Sequence, residues 1–125
     1  MMQWLAIAFG GALGAMARFA VTAYAGHVLD NRFPLGTLVV NGLGSALVGI
    51  CYVLIIEKGA LAPEWRHVLM IGFLGAFTTF STFSLDALNM WQNGHQSLAV
   101  VYAAITFAAS LAAVVASVEI TQRLV

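Results

Sequence analysis

The sequence predicts an all-α integral membrane protein with four transmembrane helices, and three observations carry that prediction. Of 125 residues, 62% are hydrophobic and only 8% charged. Soluble domains run near about a quarter charged, so these polar groups cannot cover a folded surface. The charges also leave long gaps: Met1–Ala17, Phe33–Ile56, His67–Leu85 and Ala87–Val118 contain none. A helix needs about 20 mostly apolar residues to cross a hydrocarbon core, and four stretches suffice, at residues 4–25, 35–56, 67–85 and 98–119. Finally, barrel strands would alternate apolar and polar residues, whereas these stretches are apolar all round and rich in Gly, Ala and Leu. No repeat or linker divides the chain, which reads as one four-helix domain over 1–125.

The first span runs from Trp4 to Ala25. Gly10 and Gly14 form a GxxxG pair, the spacing that lets helix backbones approach closely in lipid. The span closes on Ala23-Tyr24-Ala25, a small-x-small pattern. A cleaved signal peptide would carry Lys or Arg at its amino end and a shorter apolar stretch, so the span is expected to be retained. Arg18 lies one to two turns inside it, placed to snorkel to the interface or to attract anions into a vestibule. The connector Gly26–Pro34 holds Gly, Asp, Asn and Pro, which are turn residues.

In the second span, Leu35–Ile56, Thr37 is followed by Asn41, whose amide offers two donors. Asn41 is either interhelical glue or a ligand-facing group. Ser45 and Gly49 repeat the small-residue spacing and read as packing. The connector Glu57–Arg66 follows, with Gly and Pro.

The third span, His67–Leu85, holds the densest polar run: Thr78-Thr79-Phe80-Ser81-Thr82-Phe83-Ser84 has five hydroxyls in seven residues. Ser and Thr bond back to their own backbone and bend or open helices. Non-helical backbone at membrane depth survives only where it is buried or lines a cavity. A mid-membrane break near Thr78–Ser81 is therefore expected, the alternative being a continuous helix whose hydroxyls all back-bond. Phe73, Phe77, Phe80 and Phe83 share one broad face at helical spacing. Such a stripe usually means packing, but ring edges are weakly positive. Together with hydroxyl donors they offer positive poles without a full charge, which suits a small anion.

The fourth span, Leu98–Glu119, follows the connector Asn89–Ser97 and aligns Tyr102, Thr106 and Ser110 at i, i+4, i+8, with Ser117 continuing the line. On an Ala/Val/Phe helix this is either a hydroxyl track or a set of back-bonded groups. Ala104, Ala108 and Ala112 form a further small-residue stripe. Trp4, Tyr24, Trp65 and Trp91 fall near span ends, where amphipathic rings favour the headgroup layer.

The remaining residues exclude several functions. Lys+Arg and Asp+Glu balance at five each, so no basic field is available for nucleic acid. Cys51 has no intrachain partner. His27, His67 and His95 are scattered over span ends and loops, which argues against a transition-metal site. No nucleophile–base set, phosphate loop or carboxylate pair occurs, so no enzyme is expected. Four spans put both termini and the Glu57–Arg66 loop on one side, with Lys58, Arg66 and Arg123 against Arg32 opposite, or against Arg32 and Arg18 if the latter snorkels to that face. So small a bias sets little orientation preference. It predicts dual insertion and an antiparallel dimer; the alternative is one orientation set by other factors.

Three stretches together resemble the Fluc (CrcB) fluoride channels: Gly14-Ala-Met-Ala-Arg18-Phe19, Gly36-Thr37-Leu-Val-Val-Asn41, and Gly72-Phe-Leu-Gly75-Ala-Phe-Thr78-Thr-Phe80-Ser-Thr-Phe83-Ser84. The resemblance covers nearly the whole chain, and the third stretch is highly specific. It implies a passive channel that exports toxic fluoride through a bacterial inner membrane, built as an antiparallel homodimer with two pores. It further implies that Phe80 and Phe83 form an aromatic box, that Asn41 donates to the ion, and that Ser81 and Thr82 lie in the same break. Tyr102, Thr106 and Ser110 would form the polar track. A central sodium ion would be held by the main-chain carbonyls of Gly75 and Thr78 from both subunits. One rival is a small dual-topology, proton-coupled drug exporter. That needs an ionisable carboxylate within the membrane, and only Asp86, at the end of the third span, comes near. A structural partner with no transport role would leave the hydroxyl–aromatic cluster unexplained.

Overall fold

A computed structural model describes residues 1–29 and 33–125, with only the backbone of 27–29. Arg32, counted in the charge tally above, lies outside the described residues, as does the side chain of His27. The described residues are helical and contain no strand. Helix α1 spans Met2–Leu29, α2 Leu35–Cys51, α3 Gly75–Phe77, α4 Phe80–Gln92 and α5 Gln96–Leu124. Wider π-helical turns extend α2 over Tyr52–Glu57 and lead into α3 over Arg66–Leu74. Four helical stretches are long and apolar enough to cross a membrane: Met2–Gly26, Leu35–Glu57, Arg66–Gln92 and Gln96–Leu124. The third runs past Asp86, the charge that bounds the uncharged gap in the sequence.

Two seams hold these helices together. In the first, α1 lies against the π-helical Arg66–Leu74. A Cβ on Gly14 would run into the Phe73 carbonyl, one on Gly10 into that of Val68, and one on Gly72 would come within 2.8 Å of the Ile7 carbonyl. Backbone meets backbone there, as the GxxxG spacing anticipates. The second seam joins α2 and α5, which run parallel as alternate spans. Gln122 Nε2 donates to the Glu57 carboxylate at 2.9 Å, across a sequence offset of 65. At the same offset a Cβ on Gly49 would lie 3.0 Å from the Val114 carbonyl, and Thr37 and Tyr102 bond one common group, Asp86 Oδ2. The register is thus fixed at both ends and in between.

Tyr102, Val40 and Val53 are the largest fully buried side chains. Ala104, Ala108 and Ala112 are exposed, so this stripe is not buried within the chain. Met2 and Gln3 share a hollow with Trp65 and His67, so the amino end, the connector after Glu57 and, through Gln122, the end of α5 lie at one end of the bundle. Pro34, Asn93 and His95 border a hollow at the other end. There α4 stops at Gly94, whose φ of 84° is a left-handed conformation that glycine adopts without strain. His95 N–H then closes back on the Met90 carbonyl at 2.9 Å.

Candidate functional site

The third hydrophobic stretch is interrupted at Thr78 and Thr79, whose backbones are extended (ψ 157° at Thr78; φ −154°, ψ 121° at Thr79). Interruption leaves carbonyls before the gap and N–H groups after it without helical partners, and the sequence supplies replacements. In a continuous helix Thr79 N–H would return to Gly75. Instead it donates to Asn41 Oδ1 at 2.8 Å, while Asn41 Nδ2 donates to the Thr79 carbonyl at 2.9 Å. One amide on α2 thus satisfies both backbone groups of a residue on the third stretch. Thr82 N–H, which would return to Thr78, donates instead to Thr79 Oγ1 at 3.1 Å. Thr79 is the N-cap of α4, and its hydroxyl also bonds Thr82 Oγ1 at 3.1 Å and Ser81 Oγ at 3.3 Å. Thr78 Oγ1 and Ser84 Oγ back-bond to the Leu74 and Phe80 carbonyls, both at 2.9 Å.

Two extended residues reset the helical phase, so the single phenylalanine face expected from the spacing does not form. Phe73 and Phe77 stack before the gap, with centroids 5.7 Å apart; Phe80 and Phe83 pair after it, at 5.5 Å. Phe77 is buried and Phe80 is 76% exposed. Phe83 leans on Tyr102 at 5.3 Å, which meets Phe33 edge-on at 5.5 Å.

Beside the gap lies a cavity of about 300 Å³ bordered by Asn41, Ser45, Thr78, Thr79, Phe80, Phe83, Thr106 and Ser110, with Phe107 and Leu111. It gathers five of the eight residues expected to line the fluoride path, Asn41, Phe80, Phe83, Thr106 and Ser110. The hydroxyls of Thr106 and Ser110 are buried without a hydrogen-bond partner. An unpaired buried hydroxyl costs about 1–3 kcal/mol, so these two call for an acceptor from outside the chain. The Asn41 amide keeps one N–H beyond the one given to Thr79.

Other expected residues lie apart. Ser81 and Thr82 are exposed on the first turn of α4, outside the cavity wall. Tyr102 is fully buried, and its hydroxyl donates to Asp86 Oδ2 at 3.2 Å, where Thr37 also donates at 2.7 Å. Asp86 therefore does not snorkel; its carboxylate turns inward. Ser117 Oγ back-bonds to Val114 at 3.0 Å and leaves the hydroxyl line. Arg18 Nη1 stands 3.5 Å from the Thr78 carbonyl, pointing at the interruption.

A second hollow, about 220 Å³, is lined by Gly44, Ser45, Val48, Met70, Leu74, Gly75 and Thr78. Its carbonyls at Gly75 and Thr78 are the ones whose helical donors went to Asn41 and Thr79. Gly75 is exposed, and a Cβ there would find its nearest neighbour, the Met70 carbonyl, only at 3.7 Å. Carbonyl oxygens suit a hard cation, so Gly75 and Thr78 match in ligand type the sodium site that the resemblance implies, although the Thr78 carbonyl is also met by Arg18 Nη1 at 3.5 Å. Among the described residues, no His, Cys, Asp and Glu group could hold a metal.

Thr79 was the residue least visible in the sequence as a site residue. Its signal was there: a Thr before a helical run, with helix following, is an N-cap pattern.

Residues 5–118 match the family model described as CrcB-like protein, Camphor Resistance (CrcB). Curated relatives called "Fluoride-specific ion channel FluC" include one from Saccharophagus degradans, 54% identical over 98% of this chain and 91% of the relative. One from Hahella chejuensis is 43% identical over 93% and 91%. One from Rhizobium etli is 40% identical over the full length of both.

Proposed function

This chain belongs to the CrcB-like family, and on that premise we infer that it is a fluoride-specific ion channel: a multi-pass protein of a bacterial membrane that moves an ion and catalyses no reaction. The single observation that carries the mechanism is the cavity, which pairs the edge-bearing rings of Phe80 and Phe83 with unpartnered hydroxyls on Thr106 and Ser110.

Fluoride holds its water tightly because it is a strong hydrogen-bond acceptor. A path must replace that water with donors, yet hold the ion weakly enough, at several sites, for it to leave. Neutral hydroxyls, an amide N–H and ring edges meet both needs, since a buried Lys or Arg would bind the anion too firmly. We assign Thr106 and Ser110 as track donors, Phe80 and Phe83 as the aromatic box, and the free Asn41 N–H as a contact beside them. Tyr102 belongs to the track through its ring against Phe83, with its hydroxyl oriented by Asp86.

The functional unit is an antiparallel homodimer with the interruption at mid-membrane and two pores. One feature supports it. The polar cavity is open on one side with Phe80 exposed at its wall, and Ser81 and Thr82 are exposed on the first turn of α4, so a covering copy would keep these hydroxyls from lipid. Sodium at the Gly75 and Thr78 carbonyls of both copies would supply a fixed positive field near the path. Arg18, which reaches the Thr78 carbonyl, braces that edge of the interruption as a structural charge.

The proton-coupled exporter is not favoured by the curated relatives, which are named as channels. Fluoride efflux from vesicles holding purified protein should proceed with both faces at equal pH and proton gradients collapsed; a strict need for a gradient would restore the exporter. Purification and assay in N-methylglucamine instead of sodium should lower that flux, and equal rates would remove the cation from the account. Labelling single cysteines at both termini in intact cells, in a Cys51→Ala background, should mark each terminus on both sides; one-sided labelling would contradict dual insertion.

A further inference from the structure

We propose that Ser45 is a further fluoride-contacting residue, donating its hydroxyl into the path from α2 opposite Ser110; this rests on the channel function inferred above. By sequence spacing Ser45 is a small packing residue paired with Gly49. The register of the parallel seam gives it another place. The offset of 65 that joins Glu57 to Gln122 also joins Thr37 to Tyr102, through Asp86, and Gly49 to Val114. Between those fixed points the same offset sets Asn41 across from Thr106 and Ser45 across from Ser110. All four residues border the one cavity. They form two rungs, each with a donor from α2 and a donor from α5, about 6 Å apart by helix rise.

The two rungs differ in how far their donors are already engaged. Asn41 holds the Thr79 backbone with its carbonyl oxygen and one N–H. Ser45 enters none of the hydrogen bonds around the interruption, and Ser110 Oγ is buried and unpaired. The second rung therefore sets the unpartnered Ser110 hydroxyl across from Ser45, and both residues border one space. One turn beyond, Gly49 closes on Val114 and Ser117, so this rung is the last one that borders the cavity. Gly44 brings α2 close enough to touch the Thr78 methyl and the Phe77 ring, and that approach sets the adjacent Ser45 in the wall. An ion moving from the rings toward the seam would pass from the first rung to the second, giving the successive weak sites that conduction requires.

Unitary fluoride conductance in planar bilayers is the test, because it is read only from folded channels. Wild-type fluoride currents test the channel function itself; the ratio of variant to wild type tests Ser45. Ser45→Ala should lower unitary conductance about tenfold, the loss expected for one hydrogen bond to an ion. Ser45→Thr, which keeps the hydroxyl, should recover most of it, and Ser97→Ala, at the exposed start of α5, should match wild type. Three results would each overturn the proposal: conductance of Ser45→Ala within twofold of wild type, equal losses in Ala and Thr variants (a packing role), or a Ser45→Ala loss that disappears as sodium is varied (a role in the second hollow).

Discussion

The two seams of this bundle use similar small residues to opposite ends. Along α1, Gly10, Gly14 and Gly72 bring backbones into contact and leave no space. Along α2 and α5 the small residues alternate with polar ones, and the seam closes at Gly49 but opens at Asn41, Ser45, Thr106 and Ser110 into a cavity. In lipid, apolar side chains gain little by leaving one another for the acyl chains, so helix contact depends on close packing and hydrogen bonds. Glycine against a carbonyl gives the first. A hydroxyl that finds no partner gives neither, and its persistence marks a place where the chain keeps donors for something it does not itself contain. The contrast separates residues that hold the bundle from residues that border the proposed ion path.

Substitutions can break that contrast, beginning with the largest effect. Gly14→Leu places a side chain where the Phe73 carbonyl stands. It should cost well above ~3 kcal/mol, since backbone cannot yield as a side chain does, and should abolish the monodisperse peak on size exclusion in detergent. A well-folded variant would show the first seam to be looser than described. Asn41→Asp keeps the acceptor for Thr79 N–H but loses the donors to the Thr79 carbonyl and to the ion. A carboxylate there also repels an anion, so flux should fall about a hundredfold, or ~2.7 kcal/mol, in a vesicle efflux assay; wild-type rates would remove Asn41 from the path. Phe80→Ile deletes the exposed ring of the box without touching either seam. Efflux should drop about tenfold with the elution profile unchanged, whereas unchanged efflux would count against the aromatic box. Gly42→Ala should do least. A Cβ there meets nothing within 4 Å, and Ala gains up to ~1 kcal/mol over Gly in helix. Thermal stability should be equal or slightly higher and efflux unaltered.

Much of this was legible in the sequence because it is local. Charge gaps delimit four hydrophobic helices, and the density of hydroxyls over Thr78–Ser84 marks where the third one opens. What stayed hidden depends on partners far away in the chain. Nothing near Asn41 announces that its amide will pair with a backbone 38 residues on. Asp86 looks like the end of a span, but Thr37 and Tyr102 satisfy its carboxylate and let the helix run to Gln92. The phenylalanine stripe misleads because helical spacing assumes an unbroken phase, which two extended threonines reset. Ser45 looks like packing because its spacing to Gly49 is visible and its register to α5 is not.

The central claim is that uncharged donors and ring edges beside the Thr78–Thr79 interruption conduct fluoride in preference to larger halides. An ion-selective electrode reading of efflux from vesicles loaded with fluoride or with chloride tests it directly, against protein-free vesicles. The account predicts rapid fluoride release with chloride retained as in the protein-free control. Fluoride held as tightly as in empty vesicles, or chloride released at the same rate, would contradict it.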